Sequence, residues 1–445
     1  MEIEILCKKL IKPCLPTPPH LQRYKLSFFD QISEKEHVPI VLFYANNNFI
    51  NNSTIDKRVE QSFSKVLTHV YPAARRYDKD ECSILCLDQG ISYTKAKVNY
   101  KLYNFLEKAR KDLSLAALFW PHENKYINKT NLMVSPIVMA QVIEFECGGL
   151  AVSLSSSHPA MDGFSNIKFL FEWAKVCKMD TPVEKINFLS FNLGNVFRTR
   201  DISRLFTSTY DSVIEKNIIV KRFVINEAVM LRLRKKCIEE SSGALTFQPS
   251  RVEIITALLW RAYIRASATI NWYIRPSLMA LPLNLRAKTS LPQVHNSMGN
   301  FRIDVPIKFI SEETKKELHN YIILIRNAMN KVVASCTKAS PDEIVSTVIN
   351  TYNESFEAPK WGGNDGVDKV VSSSLCNFPF HDTDFGLEKP TLLFFGMKDI
   401  QMFWLYDTDI HSEVGVQVDL KESYMQLFEC DDDIKAFTFI HNANL

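Results

Sequence analysis

Strand-like and helix-like segments follow one another along this chain without a strict β-α-β rhythm, and that irregular order constrains the fold more than any other feature. The stretch Val38–Tyr44 reads as a strand. Val59, Phe63, Val66 and Leu67 recur at helical spacing and predict a helix over Val59–Val70. Apolar runs near Ser83–Leu87 and Val134–Phe145, and the strongly apolar Gly149–Ser157, predict further strands. Phe164–Val176 places Ile167, Leu170, Phe171 and Ala174 on one helix face. Periodicity lapses over Lys185–Arg204. A strand near Ile218–Ile225 and a helix from about Arg251 to Ala268 then open a second half. The class expected is α/β with mixed α+β layers. With 445 residues the chain exceeds one ordinary core, so two domains are expected. They are placed at 1–190 and 216–445, with 191–215 as a crossover loop and a segment around 360–400 packing against the first domain. Pro13, Pro16, Pro18 and Pro19 predict an opening segment extended over the surface.

The formal net charge is only +3, which supplies no field for nucleic acid or a membrane surface. An anionic ligand must therefore be held by local groups. The first residues lack the apolar region of a secretory leader, and no stretch approaches the roughly 20 apolar residues that span a bilayer. The ten cysteines are scattered, a pattern of reduced thiols in the cytoplasm rather than of a disulfide framework.

The segment Ser155-Ser-Ser-His158-Pro-Ala-Met-Asp162-Gly163 carries the most chemistry. Pro159 biases His158 toward extended backbone at the strand's end, and Gly163 allows a tight reversal before the helix. A histidine so placed can take a proton from an alcohol near neutral pH. The bland alternative is a core histidine satisfied by backbone, with Asp162 an ordinary exposed carboxylate. A zinc site would need further ligands at a spacing such as HExxH, and a serine hydrolase would need Gly-x-Ser-x-Gly. Neither is present, and no metal is expected. Ser250-x-x-Glu253 before an apolar run is a capping box; as structure it starts a helix, and such a start also offers N–H groups to phosphate. Asp384-Phe385-Gly386 could suggest a kinase magnesium motif, but no His-Arg-Asp or glycine-rich loop accompanies it. Asp384 reads instead as a structural carboxylate at a turn.

Taken in order, these elements resemble the BAHD family of plant acyl-CoA-dependent acyltransferases. His158 to Asp162 resembles the family's HxxxD motif. Pro16-Thr-Pro18, Leu26-Ser-Phe-Phe-Asp30-Gln31 and Tyr71-Pro-Ala-Ala-Arg-Arg76 resemble its N-terminal elements. Ser250-Arg-Val-Glu253, Asn284-Leu-Arg286 and Asn296-Ser-Met-Gly-Asn300 follow in family order. The resemblance implies two similar-sized domains with a channel between them, acyl-CoA entering from one face and the acceptor from the other. It implies His158 as general base, Asp162 turned away and paired with Arg286, and Ser250 and Arg251 near the CoA phosphates. The chain departs from the family at Asp-Phe-Gly-Trp-Gly, here Asp384-Phe-Gly-Leu-Glu388, and at Ser-Trp-Cys-Arg, here Ser374-Leu-Cys-Asn377. The hydroxyl thought to support the oxyanion survives as Ser373.

The resemblance lies nearest the branch that acetylates alkaloid and terpenoid alcohols. It implies a cytoplasmic monomer with no permanently bound cofactor, moving an acyl group, acetyl from acetyl-CoA in the leading reading, onto a small-molecule alcohol. The alternatives are a malonyl or aroyl donor, an amine acceptor, or a catalytically weakened homologue that only binds ligands.

Overall fold

The computed structural model describes residues 1–45, 52–77, 83–121, 136–178, 183–202, 217–310, 317–356, 366–396, 400–410 and 412–440. Two large sheets organise them. The first has six strands in the spatial order Ile3–Ile11, Ile91–Val98, Val138–Phe145, Leu150–Ser157, His37–Tyr44 and Leu392–Phe395. All its pairs are antiparallel except Ile91–Val98 with Val138–Phe145. Its central strands are apolar in both phases of the pleat because both faces are covered. Ile40, Leu42, Tyr44, Val152 and Leu154 point into one core with the helices Asn52–His69 and Gly163–Lys178. Val41, Phe43, Ala151, Ile143 and Phe145 point into another, under the helix Leu102–Lys111. There the Phe43 ring lies 4.9 Å from Phe105 and 5.1 Å from Phe119.

The strand Ile3–Ile11 is not among those the sequence pattern predicts. This strand lies at the sheet's edge and is exposed along nearly its whole length, so burial imposes no apolar alternation on it. The predicted strand at Val38–Tyr44 begins one residue earlier, at His37, and the helix predicted from Val59 begins at Asn52.

The second sheet has the order Arg302–Phe309, Ser277–Asn284, Asp368–Ser374, Met402–Asp407, Val414–Lys421, Ile218–Ile225 and Phe439–Ile440. The helices Arg251–Asn271 and Leu318–Thr337 cover one face. Met402–Asp407 joins the two halves by alternation. Phe403 and Leu405 enter the core of the second sheet, whereas Met402, Trp404 and Tyr406 enter the core of the first. The strand Leu392–Phe395 goes further, leaving the second half to pair with His37–Tyr44. The Gln417 side chain clamps it from the second sheet, donating to Phe395 O at 2.8 Å and accepting from Phe395 N at 3.3 Å.

A third, small sheet joins Arg23–Lys25, Ser83–Leu85 and Arg76–Tyr77. Beside it Arg75, standing where the family pattern has glycine, is fully buried. It meets Asp88 at 3.0 Å and also bonds Tyr71 O and Thr17 Oγ1. The proline-bearing opening, largely exposed as expected, is thus anchored at Thr17. The irregular stretch after Lys185 touches both halves, with Ser190 bridged to Ser297 and Arg198 to Ser27. The part of the expected crossover at 203–215 lies outside the described residues.

Trp173 is the hub of the first core. It is fully buried, stacked on Phe63 at 4.1 Å and edge-on to Phe385 at 4.7 Å. Trp173→Ala should cost about 3–5 kcal/mol of stability, read by chemical denaturation. A loss below about 1 kcal/mol would show that this core collapses around the missing ring.

Candidate active site

The strand Leu150–Ser157 is buried at every position and delivers His158 to its end. Backbone bonds hold that residue on both sides: His158 N–H donates to Glu36 O at 2.8 Å, and Asn300 Nδ2 donates to His158 O at 2.7 Å. Asn300 is fixed in turn by Asp30, which accepts from its backbone N at 2.6 Å and its side-chain amide at 3.0 Å. Burial pushes the Asp30 carboxyl up to about 6, against the hydrogen bonds from Ser27 and Asn300 that pull it down. Asp30 and Asn300, read only as members of motifs, thus form the bracket that holds the histidine's backbone. Gly299 is required inside this bracket. Its φ is +114°, and a Cβ there would meet Leu193 at 2.9 Å and Asp30 Oδ1 at 3.1 Å.

The His158 side chain is 11% exposed. Its Nδ1 has no hydrogen-bond partner, and its Nε2 lies 3.8 Å from Glu34 Oε2, beyond hydrogen-bonding range. Neither ring nitrogen is committed to a fixed bond. Glu34 is itself held by Arg302 at 2.5 Å. Burial would raise its carboxyl, but Arg302 and then His158 outweigh burial and hold it down at about 2.

Asp162 turns from His158 into the structure. It caps the helix Gly163–Lys178, accepting from Ser165 N and Ser165 Oγ at 2.9 Å each. It also accepts from Arg286 Nη1 at 2.7 Å, Arg286 Nη2 at 3.2 Å and Phe301 N at 3.2 Å. Burial works to raise its pKa, yet Arg286 and these donors hold the carboxyl below its ordinary value. The expectation of a glycine reversal at Gly163 is corrected. Gly163 has no positive φ, and a Cβ there would touch only Leu375 at 3.8 Å. The bend is made by the turn at 158–160 and the Asp162 cap.

The other predicted residues fall in two further places. Ser373 is half-buried on Asp368–Ser374, paired with Trp404. Its strand runs into Leu375, whose Cδ2 would lie 3.8 Å from a Cβ at Gly163, so its end lies beside the start of the helix that follows His158. The helix Arg251–Asn271 begins with the predicted capping box, Ser250 Oγ accepting from Glu253 N at 3.2 Å and Glu253 Oε2 from Ser250 N at 2.8 Å. Arg251 reaches Asp407 at 2.6 Å and Asn377 Oδ1 at 3.4 Å. This corner therefore adjoins the same strand end through Asn377.

Asp384-Phe385-Gly386 lies apart from His158. Phe385 is buried against Tyr44 and Trp173, and Trp173 stands about 16 Å along its helix from Asp162 at 1.5 Å per residue. Asp384 Oδ1 accepts from the N–H groups of Gly386, Leu387 and Glu388 at 2.7–2.9 Å, and its other oxygen meets Lys178 at 3.1 Å. Gly386 has φ +87°, and a Cβ there would press on Arg58. Leu387 is buried and Glu388 is exposed. Glu388 has φ +72°, where the family pattern carries glycine. Lys398, a candidate partner for Glu388, lies outside the described residues.

The arrangement is that of a two-domain acyltransferase, and comparison with known proteins agrees. The Transferase family profile matches residues 1–434. The acetyl-CoA-benzylalcohol acetyltransferase of Clarkia breweri is 30% identical over 409 residues, covering 88% of this chain and 89% of that protein. A 17,18-epoxy-17-hydroxycur-19-ene N-malonyltransferase of Strychnos nux-vomica is 26% identical over 440 residues, covering 98% and 90%. The crystal structure of vinorine synthase shares the fold, with a TM-score of 0.78 and 24% identity over 98% of each chain. The chain belongs to the BAHD acyltransferases, enzymes that take their acyl group from coenzyme A.

The left-handed backbone at Glu388 yields a direct test. A non-glycine residue there costs roughly 1–2 kcal/mol, so Glu388→Gly should stabilise the protein by about 1 kcal/mol. Leu387→Trp should destabilise it by about 1–3 kcal/mol through overpacking. Melting temperatures of the two single variants should therefore move in opposite directions; a fall for Glu388→Gly would show that the side chain's own contacts outweigh the backbone strain.

Proposed function

We propose that this enzyme transfers an acetyl group from acetyl-CoA to a hydroxyl of a plant specialised metabolite, such as an alkaloid or terpenoid alcohol, with His158 as general base. One observation carries the reading: His158 is pinned through its backbone on both sides while both ring nitrogens stay uncommitted. The ring is thereby left free to exchange a proton with a substrate hydroxyl, as a general base requires.

In this reading the acceptor O–H donates to Nε2. The proton passes to the imidazole as the oxygen bonds the thioester carbon, which gives an imidazolium and a tetrahedral oxyanion. The C–S bond then breaks, the sulfur takes the proton from the imidazolium, and ester and coenzyme A leave with the base restored. A thioester is already activated, so no covalent enzyme intermediate is required. Ser373, on the strand that ends beside the start of the helix after His158, is assigned to the oxyanion. Asp162 orients, by holding the turn and helix start that flank the base. Ser250 and Arg251 are assigned to the CoA phosphates, and Arg251 would exchange part of its contact with Asp407 for phosphate.

The acetyl donor and hydroxyl acceptor are supported by the name of the Clarkia relative. A second reading, a malonyl donor and a nitrogen acceptor, is supported by the name of the Strychnos relative. Among the described residues no helix is long and apolar enough to cross a membrane, and each described cysteine carries a free thiol. The free thiols support the further reading of a protein kept in the reducing cytoplasm, where the proposed state is a monomer.

The test pairs acetyl-CoA and malonyl-CoA with a library of alkaloid and terpenoid alcohols and amines, read by mass spectrometry, for wild type and His158→Ala. The variant should lose roughly 10²–10⁴-fold in kcat at an unchanged melting temperature. Turnover near wild type in the folded variant would remove His158 as the base. A wild type that acylates only amines, or only from malonyl-CoA, would favour the second reading.

A further inference from the structure

Glu34 belongs to none of the motifs read in the sequence, yet it is the ionisable side chain that faces the His158 ring. It follows the short helix Phe28–Gln31 in the chain and places Oε2 3.8 Å from Nε2. Arg302, from the first strand of the second sheet, fixes that same oxygen at 2.5 Å and also binds Asp304. Asp304 in turn accepts from Tyr352 Oη at 3.3 Å. Two carboxylates against one guanidinium leave this group with one net negative charge beside the ring. The side chains of Glu34 and Arg302 are 27% and 14% exposed, so bulk water screens the charge only in part.

We propose that Glu34, fixed by Arg302, is a positioning residue for the acyl transfer whose carboxylate stabilises the imidazolium that His158 becomes in the reaction. The inference rests on the reading of His158 as base. A separation of 3.8 Å is too long for a hydrogen bond, so the Nε2 lone pair stays open to the acceptor hydroxyl. It is short enough for strong attraction once the ring is charged. Glu34 does not take the proton, because Arg302 keeps its carboxyl ionised well below neutral pH. The proton goes from hydroxyl to imidazole to sulfur, and Glu34 begins and ends the cycle as a carboxylate. Arg302 also holds the carboxylate at a fixed distance and prevents it from closing onto the ring.

Other ionisable groups lie on the elements that hold His158, among them Glu36, whose backbone carbonyl accepts from His158 N–H. His37, opposite Ser157 on the neighbouring strand, is pushed by burial down to about 4 and stays neutral. Tyr77 shares a hydrogen bond with Ser157 at 2.7 Å, and burial raises its pKa. Asp30 faces Asn300 and Ser27, and Asp162 is matched by Arg286.

The test is the pH dependence of kcat and kcat/KM for Glu34→Gln, Glu34→Asp, Arg302→Lys and His158→Ala, each with its melting temperature. Glu34→Gln should lower kcat roughly tenfold, leave both KM values within about twofold, and move the acid limb of the profile down by roughly half to one pH unit. Glu34→Asp, which keeps the charge, should recover most of the rate. Arg302→Lys loosens the hold on the carboxylate and lets it approach the ring, so it should lower kcat while moving the limb up, and it carries the test if Glu34→Gln does not fold. An unmoved or upward-moving limb in Glu34→Gln, an unmoved or downward-moving limb in Arg302→Lys, or in either a loss confined to melting temperature, would overturn the inference. Wild-type turnover in His158→Ala would instead overturn the base assignment, so the two failures are distinguishable.

Discussion

Arg286 and Asp162 come from opposite halves of the chain, 124 residues apart, and meet with each side chain only 3% exposed. Two charges so far from water are costly to bury, and the cost is recovered only when every donor and acceptor is matched. Here they are matched closely. Besides the carboxylate, Arg286 donates to the carbonyls of Ser297 and Gly299, and Asp162 accepts from Ser165 and Phe301. One ion pair therefore sets the start of the helix after His158, the loop that carries Asn300 and the first residues of the strand Arg302–Phe309. Both groups that reach His158 from the second half, Asn300 on its carbonyl and Arg302 through Glu34, lie on the segment this pair anchors. Because Asp162's folded pKa is depressed, its stabilisation is full above about pH 4, the ordinary value for aspartate, and is lost as pH falls through the folded value.

The two halves are interleaved as well as apposed. Leu392–Phe395 is a strand of the first sheet contributed by the second half, and Met402–Asp407 presents alternate side chains to the two cores. The Asp384 turn lies just before that exchanged strand. It keeps its geometry through three backbone N–H bonds to one carboxylate oxygen, a function of Asp384 that uses the backbone but not the side chains at 387 and 388. Packed against Tyr44 and Trp173, this turn meets the site through the core of the first half.

Much of this was legible in the sequence because it is local. The strand Ile218–Ile225 has the bounds its apolar run predicts, and Ser250 with Glu253 marks the first turn of Arg251–Asn271. His158 and Asp162 were legible because proline, histidine and aspartate lie within five residues. What could not be read depends on distant packing. Glu34 matters only because Arg302, 268 residues away, holds it against the histidine. The bracket from Asp30 to Asn300 spans 270 residues. Along the edge strand Ile3–Ile11, apolar alternation runs only over Glu2-Ile3-Glu4-Ile5 before Lys8 and Lys9 interrupt it, because the exposed edge position requires no longer apolar pattern. The left-handed φ of Glu388 is invisible in a residue type that avoids it, although the family's glycine at that position was a clue.

The Asp162–Arg286 pair is the element that couples the two halves to His158. A double-mutant cycle with Asp162→Asn, Arg286→Met and the combination, followed by urea unfolding and by kcat/KM, addresses this most directly. The account predicts a coupling energy of about 2 kcal/mol or more in stability, with each single variant losing activity and the double variant losing little beyond either one. Additive losses in stability, or full activity in a folded Asp162→Asn variant, would contradict it.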